Sequence, residues 1–486
     1  MTAIKVKDLL PKIKYKEFVG DANVVITGLN HDSRSLAPGD LFFCLKGSAC
    51  DGHDYASQVV ASGASVLCVE RILPLDIPQI KVEDMNTGLA EIAAAYYDYP
   101  ADKLELFGIT GTNGKTTVSF LLERVLSDAG FNPAVIGTLY NKFNAKTEKN
   151  PHTTPQAPEL HRFFRQVADQ GGDSVSMEVS SHSLALGRVH GLKFRAGIFT
   201  NLTQDHLDFH AGMEEYFLAK QNLFSMIKPE GFAVINLDDP RGESLLSGLK
   251  VKGITYGVKN PQSMILAKDI ILSPQGSRFT LVTPQGEFSV NLQINGMFNV
   301  SNVLAALATA WGQDLEISKA IKSLEGFSGV KGRFEKINEG QDFLVIVDYA
   351  HTPDALERVL KSAREFTSGK VIAVFGCGGN RDRKKRPIMG KIGAACADLV
   401  VITSDNPRKE DCQAIIGDIL AGMEGKANYL VEADRKLGIE KAIRAARPGD
   451  SVIIAGKGHE DYQIFADRTI HFDDGETARE ILRGLK

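Results

Sequence analysis

Apolar and polar positions follow two alternating periods along most of this chain. Short apolar runs of β type, ended by glycine or a polar cluster, give way to stretches in which apolar residues recur every three to four positions. From Lys103 to about Gly332 this pattern predicts strands at Leu104–Ile109, Ala134–Gly137, Ser174–Val179, Ala196–Thr200 and Phe232–Asn236. Helices are predicted near Thr116–Ala129, Glu159–Asp169 and Met213–Phe224. Such an order implies right-handed βαβ units, a mostly parallel sheet, and ligands gathered beyond the carboxyl ends of its strands. Between Met264 and Gln293 the pattern turns to simple alternation around a Pro284–Gly286 turn, which predicts an appended antiparallel ribbon. Helices at Val300–Trp311 and Glu316–Leu324 close this region.

The flanking regions read as two further domains. Runs at Val24–Thr27, Leu41–Leu45 and Val66–Val69, with a helical stretch at Tyr55–Ser62, predict a small α/β domain, and the break at Pro100 makes Tyr96–Asp102 the expected linker. The cluster His31-Asp32-Ser33-Arg34 follows the first of these strands and the turn Gly47–His53 the second; plain turn chemistry accounts for both at least as well as ligand binding does. From Arg333 a second βα series predicts strands at Leu344–Asp348, Val371–Gly376, Leu399–Thr403, Tyr429–Val431 and Val452–Ala455. Its helices are expected at Asp354–Phe366, Ile388–Cys396, Ala414–Met423 and Leu437–Ala446. The expected fold is α/β in three domains: a small N-terminal α/β domain at 1–101, a central P-loop α/β domain with a mostly parallel sheet at 102–332, and a C-terminal Rossmann-like domain at 333–486.

Composition narrows the partners. A length of 486 residues suits about three domains, and 24% charged residues with a formal net charge of -4 give no global attraction to nucleic acid or to a membrane surface. Cys44, Cys50, Cys68, Cys377, Cys396 and Cys412 are scattered without a C-x-x-C pair, so neither a structural zinc site nor a disulfide framework is expected. The first twenty residues hold no apolar core of signal-peptide length, and no later run approaches a membrane span. A cytoplasmic chain without membrane insertion is the expectation.

The densest chemistry lies at Gly108–Thr117, G-I-T-G-T-N-G-K-T-T, between a predicted strand and a predicted helix. There the backbone N–H groups of Gly111, Thr112, Asn113, Gly114 and Thr117 suit phosphate oxygens, Lys115 suits the terminal phosphates, and the Thr116 hydroxyl suits Mg²⁺. The strict phosphate-loop pattern would place glycine where Ile109 stands, and the alternative is a glycine-rich turn with a solvated lysine. Glu178 closes a predicted strand beside this loop and suits a cation, although a lone glutamate there also suits a surface. The stretch Asn201–His210 crowds two acids and two histidines behind another strand, with His206 the preferred second cation ligand; taken alone, a histidine is more often a hydrogen-bonded or solvated residue than a ligand. Lys220 sits between Phe217 and Phe224 at helical spacing, which predicts a partly desolvated ammonium. The basic run Arg381–Arg386 reads for the most part as a solvated helix start, and it lacks the aromatic neighbours that nucleic-acid binding would need.

Taken in order, T-G-T-N-G-K-T-T, His152–Pro155 (H-T-T-P), E-V-S-S-H, N-L-T-Q-D-H-L-D-F-H, A-K-x-x-L-F, Gly296–Asn302 and Gly332–Glu335 (G-R-F-E) resemble the Mur ligases of peptidoglycan synthesis. So do Asp348–Leu356 (D-Y-A-H-T-P-D-A-L), Gly376–Asp382 (G-C-G-G-N-R-D) and Gly456–Glu460 (G-K-G-H-E). Within that family the set is similar to the members that add the third residue of the stem peptide. D-N-P-R at Asp405–Arg408 resembles the version selecting meso-diaminopimelate over lysine, while an ordinary Asn-Pro turn remains the alternative. The resemblance implies ATP and Mg²⁺ as cofactors and a UDP-N-acetylmuramoyl dipeptide with meso-diaminopimelate as substrates. It implies that Lys220 is carbamylated and, with Thr116, Glu178 and His206, binds magnesium; that Asn299, Asn302, Arg333 and Asp348 hold ATP; and that Ser33, Arg34, Thr153, Thr154, Ser180 and Arg188 hold the UDP-sugar and its peptide. Arg381, Asp405, Asn406, Pro407, Arg408, Gly456 and Glu460 would hold the amino acid. Two other classes remain open at this level: a folylpolyglutamate synthetase, which shares the phosphate loop and amide-forming chemistry, and a P-loop switch or motor that hydrolyses ATP to move a partner.

Overall fold

The computed structural model describes residues 3–47, 50–423 and 428–485, so Ser48 and Ala49 of the expected Gly47–His53 turn lie outside the described residues. The chain divides into two compact units, Met1–Thr255 with Ala308–Leu315, and Tyr256–Leu307 with Glu316–Lys486.

The first unit opens with β1 (Glu17–Val19), β2 (Gly28–Asn30), β3 (Asp40–Phe43), α1 (Ala56–Ala61), β4 (Val66–Val69), β5 (Gln79–Lys81) and α2 (Met85–Tyr96). Their sheet runs β1-β5-β4-β3-β2, parallel except for β1. The run expected as one strand at Val24–Thr27 is broken: Val25–Ile26 pairs with Ile4–Lys5, and β2 begins at Gly28. α2 escapes a periodicity reading because most of it is buried, Leu89, Ile92, Ala93 and Tyr96 among the rest, and an all-round apolar helix has no polar stripe. Asp84 caps it by accepting from Thr87 N. The linker expected at Tyr96–Asp102 is therefore shorter. Tyr96 ends the helix, Pro100–Lys103 form a 3₁₀ turn, and Asp98 and Tyr99 between them take left-handed backbone conformations.

The same unit continues through β6 (Glu105–Thr110), α3 (Lys115–Asp128), β7 (Pro133–Ile136), β8 (Asn141–Phe143), β9 (Lys146–Glu148), α4 (Ala157–Asp169), β10 (Ser174–Glu178), α5 (Ser181–Ala185), β11 (Phe194–Phe199), α6 (Met213–Ser225), β12 (Ile227–Asn236) and β13 (Lys252–Gly257). The strand order is β9-β8-β7-β10-β6-β11-β12-β13, with β7, β10, β6, β11 and β12 mutually parallel. Helices cover the central strands, so Leu106, Phe107 and Ile109 of β6 are all fully buried and the strand reads as a continuous apolar run. The β8–β9 hairpin at the edge is short and half exposed, which is why alternation did not reveal it.

In the second unit β14 (Ile265–Ser273), β15 (Gly276–Thr283) and β16 (Gly286–Leu292) form the expected antiparallel ribbon, followed by α7 (Met297–Gly312), whose residues from Ala308 on belong to the first unit, and α8 (Ile317–Glu325). Then come β17 (Glu335–Ile337), β18 (Leu344–Asp348), α9 (Pro353–Arg364), β19 (Val371–Phe375), α10 (Lys385–Cys396), β20 (Leu399–Ile402), α11 (Cys412–Leu420), β21 (Tyr429–Val431), α12 (Arg435–Ala445), β22 (Ser451–Ala455) and α13 (Asp474–Arg483). This sheet runs β17-β18-β22-β19-β20-β21, parallel except for β17. Inserting β22 between β18 and β19 puts the loops after β22, β19 and β20 side by side at one edge, where a doubly wound sheet binds its ligands. No described helix is long and apolar enough to cross a membrane, and all six cysteines are free.

Candidate functional site

In the first unit the glycine-rich loop leaves β6 at the centre of the parallel sheet and enters α3 at Lys115. Gly111 has φ +144 and a side chain there would strike the Thr200 hydroxyl, so the loop can lie against β11 only with glycine at this place. Asn201 Oδ1 accepts from Asn113 N at 3.0 Å, and Thr200 Oγ1 donates to Asn113 O at 2.6 Å. Thr112 Oγ1 donates to Thr203 O at 3.1 Å and accepts from Thr203 N at 2.9 Å. The loop is thus shaped by the N-L-T segment after β11, and Lys115 Nζ folds back onto Gly111 O and Thr112 O, both at 2.9 Å. Thr116 and Thr117, in the first turn of α3, are buried.

Lys220 in α6 is more completely buried than its spacing predicted: its side chain is among the largest fully enclosed ones in the chain. Its Nζ donates to Gly111 O at 2.9 Å and stands 4.3 Å from the centre of the Tyr216 ring. Burial, and then the Lys115 charge, hold its pKa well below the ordinary lysine value. A lowered pKa favours the unprotonated amine, the form whose lone pair reacts with carbon dioxide, which is the direction the expected carbamylation needs. Glu178 is buried at the end of β10, with Oε1 accepting from Thr138 N at 2.8 Å and Oε2 from the Thr138 hydroxyl at 3.1 Å. His206 has left-handed backbone (φ 54), and its ring meets that of His182 edge-on at 4.8 Å. Burial lowers the pKa of both imidazoles, that of His182 to about 4, leaving ring nitrogens as acceptors or ligands. Among the described residues no three His, Cys, Asp or Glu side chains gather as a metal site. Of the expected magnesium set only Glu178 and His206 are of those types, and the donor set is complete for a hard divalent ion only if Lys220 becomes a carboxylate-like carbamate beside the Thr116 hydroxyl.

The residues expected to hold the UDP-sugar fall into one connected cluster and one loop, whose His31 stands 3.6 Å from Glu159 of α4. Thr138 Oγ1 lies 3.1 Å from Thr153 Oγ1; Thr154 Oγ1 donates to Glu178 O at 2.9 Å and accepts from Ser180 N at 3.1 Å; Arg188 Nη1 donates to Thr154 O at 3.0 Å. The Nε of Arg188 is buried without a partner, which suits an anion. Ser33 and Arg34 lie in the loop after β2. Arg34 is exposed and spends its guanidinium on Asp32, at 2.8 Å and 2.6 Å, the pairing expected of turn chemistry.

In the second unit Asn299 and Asn302 are buried in the first turns of α7, joined by an Asn302 Nδ2 to Asn299 Oδ1 bond of 3.3 Å. The ring of neighbouring Phe298 packs on Phe334 at 5.1 Å, which brings this turn to Arg333. Arg333 lies over the Tyr349 ring at 4.8 Å with its Nε buried and unpaired. Asp348 accepts from Phe334 N at 2.7 Å and Ala350 N at 2.8 Å; burial raises its pKa, while Arg333 and these N–H groups pull it down.

The loops after β19, β20 and β22 carry the remaining expected residues. Asn406 is buried, its Nδ2 donating to Glu460 Oε2 at 2.9 Å, and Arg408 Nη1 donates to Gly379 O at 2.9 Å. Asp405 Oδ1 accepts from Asn406 N at 2.6 Å, Pro407 is buried, and Gly456 opens the third loop at φ +120. Arg381 is exposed on the first loop. One expectation fails here: Arg386, read with the rest of Arg381–Arg386 as a solvated helix start, has no exposed surface and pairs with Glu410 and Asp418. Its place, in the first turn of α10 on the inner face, could not be seen without the helix's rotation.

Several residues of the site are placed by the structure alone. Thr138, which aligns Glu178, follows an ordinary apolar strand. Lys457 of G-K-G-H-E is fully enclosed, with Nζ 3.1 Å from Glu460 Oε2 and 3.3 Å from Asn406 Oδ1; a lysine inside a glycine-rich loop after a buried strand was a visible cue. Arg435 pairs with Asp474 and donates to Ser404 O and Ala455 O, so it ties the ends of β20 and β22 together.

Comparison with known proteins agrees with this arrangement. Residues 25–97 match the Mur ligase family catalytic domain, 109–310 the Mur ligase middle domain, and 332–458 the Mur ligase glutamate ligase domain. The chain is 42% identical over 489 residues to UDP-N-acetylmuramoyl-L-alanyl-D-glutamate--2,6-diaminopimelate ligase of Clostridium tetani, covering 99% of this chain and 100% of that one. A solved structure of a ligase with that name superposes with a TM-score of 0.71 at 32% identity, covering 100% of this chain and 99% of that one. The fold is shared with a MurF ligase from Thermotoga maritima solved with ADP, at a TM-score of 0.64 and 18% identity over 94% of this chain and 97% of that one. With three matched domains in order and full-length relatives of this similarity, the chain belongs to the Mur ligase family.

Proposed function

We propose that this protein joins meso-diaminopimelate to the D-glutamate of UDP-N-acetylmuramoyl-L-alanyl-D-glutamate with consumption of ATP, in the cytoplasmic assembly of peptidoglycan precursors. The observation that carries this reading is the bond of Asn406 to Glu460 and of Arg408 to Gly379 across three loops at one sheet edge, in a chain whose full-length relatives bear the diaminopimelate ligase name. We assign residues 1–101 to UDP-sugar binding, 102–332 to ATP, and 333–486 to the amino acid.

The chemistry follows from what an amide needs. A carboxylate is a poor electrophile, so its oxygen first attacks the γ-phosphorus of ATP, releasing ADP and leaving an acyl phosphate. The amine of diaminopimelate then attacks the acyl carbon, the C–O bond to phosphate breaks, and inorganic phosphate departs as the nitrogen loses a proton. Lys115 offsets charge on the migrating phosphoryl group, and the N–H groups of Gly111–Thr117 orient the phosphate chain. Arg188, Thr153, Thr154 and Ser180 place the acceptor carboxylate near Glu178; Asn299, Asn302, Arg333 and Asp348 hold the nucleoside. Lys220 Nζ adds to carbon dioxide and loses a proton to become a carbamate; with Thr116, Glu178 and His206 it would hold Mg²⁺, which supplies electrostatic stabilisation of phosphoryl transfer.

Diaminopimelate differs from lysine by one carboxylate, and Arg408 is the guanidinium placed for it. Arg408 is partly buried, so a lysine, which brings no distal carboxylate, leaves its guanidinium without that partner and is penalised where diaminopimelate is favoured. Losing one charge-assisted contact costs about 1.5–3 kcal/mol, so Arg408→Ala is expected to raise the KM for diaminopimelate by roughly 10- to 100-fold with that for ATP unchanged. Phosphate release measured with the UDP-dipeptide and either amino acid tests this. Equal use of lysine by the unmutated enzyme, or an unaltered diaminopimelate KM in the variant, would sink the assignment.

A further inference from the structure

The loops that leave β19 and β20 are tied together along their length. Gly379 N donates to Asn406 O at 2.9 Å, Arg408 Nη1 to Gly379 O at 2.9 Å, Lys409 N to Asn380 Oδ1 at 3.1 Å, and Asn380 N to Glu410 Oε1. At Gly379 a Cβ would overlap the Pro407 carbonyl, so this approach is possible only with glycine there. Arg408 itself has left-handed backbone (φ 54), a conformation that a non-glycine residue keeps only when its surroundings hold it.

Behind this seam stands Arg386. Its guanidinium donates through Nη1 to Glu410 Oε2 at 3.0 Å and Asp418 Oδ2 at 2.9 Å, and through Nη2 to Glu410 Oε1 at 3.0 Å and Gly378 O at 3.2 Å. One fully buried cation therefore joins α10, both loops and α11. Glu410, in turn, spans the seam, since the same Oε1 also accepts from Asn380 N. Buried ion pairs contribute little net stability against an apolar replacement, whereas they do fix geometry. Here the geometry is that of the two loops bearing Arg381, Asn406 and Arg408.

We infer that Arg386, acting through Glu410, is a positioning residue that sets the amino-acid selectivity of this enzyme by holding the Gly378–Arg381 and Asp405–Arg408 loops in one register. The inference rests on the diaminopimelate reading above. A guanidinium discriminates against lysine only if it already stands where the distal carboxylate arrives; a loosened seam lets Arg408 relax toward solvent, so the acid-bearing ligand loses its contact and lysine loses its penalty. Lysine can keep the charge of Arg386 but cannot span the four acceptor oxygens that the planar fork reaches at once.

The test uses Arg386→Met, Arg386→Lys and Glu410→Gln in the full chain, with phosphate release measured for meso-diaminopimelate and for lysine. In Arg386→Met the KM for diaminopimelate is expected to rise at least 10-fold and the ratio of kcat/KM for diaminopimelate over lysine to fall at least 10-fold. The KM values for ATP and the UDP-dipeptide should stay within about 2-fold. Arg386→Lys should recover part of the ratio, and Glu410→Gln, at a half-exposed side chain, should shift it in the same direction. If Arg386→Met does not fold, Glu410→Gln decides. A wild-type ratio in a folded Arg386→Met or in Glu410→Gln overturns the inference, as does an equal fall in kcat for both amino acids with unchanged selectivity. An unmutated enzyme without preference for diaminopimelate overturns the functional reading and this inference together; a selective one with selective variants overturns the inference alone.

Discussion

Replacing Asp474 with asparagine should destabilise the second unit by about 3–5 kcal/mol, the usual cost of stranding one member of a buried ion pair. Arg435 and Asp474 face each other through two bonds of 2.7 Å, Nε to Oδ1 and Nη2 to Oδ2, and neither side chain has exposed surface. Asparagine keeps the shape of the carboxylate and removes its charge, so the guanidinium is left with the carbonyl dipoles of Ser404 at 3.1 Å and Ala455 at 3.0 Å as its only buried acceptors of the original strength. For a unit of about 150–250 residues each kcal/mol moves the midpoint by roughly 2–4 °C, which puts the expected fall near 10 °C. Differential scanning calorimetry of the full chain reads it directly, and hydrogen exchange should quicken at the ends of β20 and β22, which Arg435 joins. The double variant Arg435→Met with Asp474→Leu removes both charges and should recover much of the loss. It should stay about 1–3 kcal/mol below the wild type, because the two carbonyls lose their donor. An Asp474→Asn protein with the wild-type transition would refute the reasoning, since it would mean that water or backbone movement supplies the missing counter-charge.

Lys220→Ala is expected to lose activity by about 10²-fold or more, and formate or acetate should restore part of it by standing in for the carbamate; a variant of ordinary activity would make Lys220 a mere helix residue. His161, buried on α4 with its ring edge-on to Phe164 at 5.8 Å, has its pKa pushed down to about 4 by burial. Between pH 6.5 and 4 the unfolded chain takes up a proton at this residue that the folded chain does not, so stability is lost as pH falls through that window, by about 3 kcal/mol at its acid end. His161→Phe should therefore gain that much on the wild type between pH 7 and pH 4 in urea unfolding, and parallel pH profiles would contradict the assignment.

Much of the scaffold was legible without coordinates, for a physical reason. A parallel sheet covered on both faces makes its strands nearly continuous apolar runs, and its crossover helices carry one apolar stripe; both periods show in β6, β10, β11, β18, β19 and α3, whose observed limits fall within a residue or two of the expected ones. The glycine-rich turn between β6 and α3 was equally readable because its signal is local: glycines, a lysine and two threonines follow one another. Short edge strands such as β1 and β9, and the enclosed helix α2, were not, because three residues are too few to establish a period and a helix buried all round has no polar face.

What tertiary structure alone decided is the pairing of charges remote in sequence. That Lys220 stands against Gly111 O and close enough to feel the Lys115 charge depends on how α6 lies across the end of β6, and that placement is what pulls its pKa down. Arg381 and Arg386 look alike along the chain, five residues apart in one basic run. The rotation of α10 sends Arg386 inward to two carboxylates from other segments and leaves Arg381 in solvent. Sequence sets which residues are polar and how they repeat; burial, and with it the strength of each charge, is set by what the fold brings up against them, since electrostatic energy depends on the surrounding dielectric and on partners that no local pattern encodes.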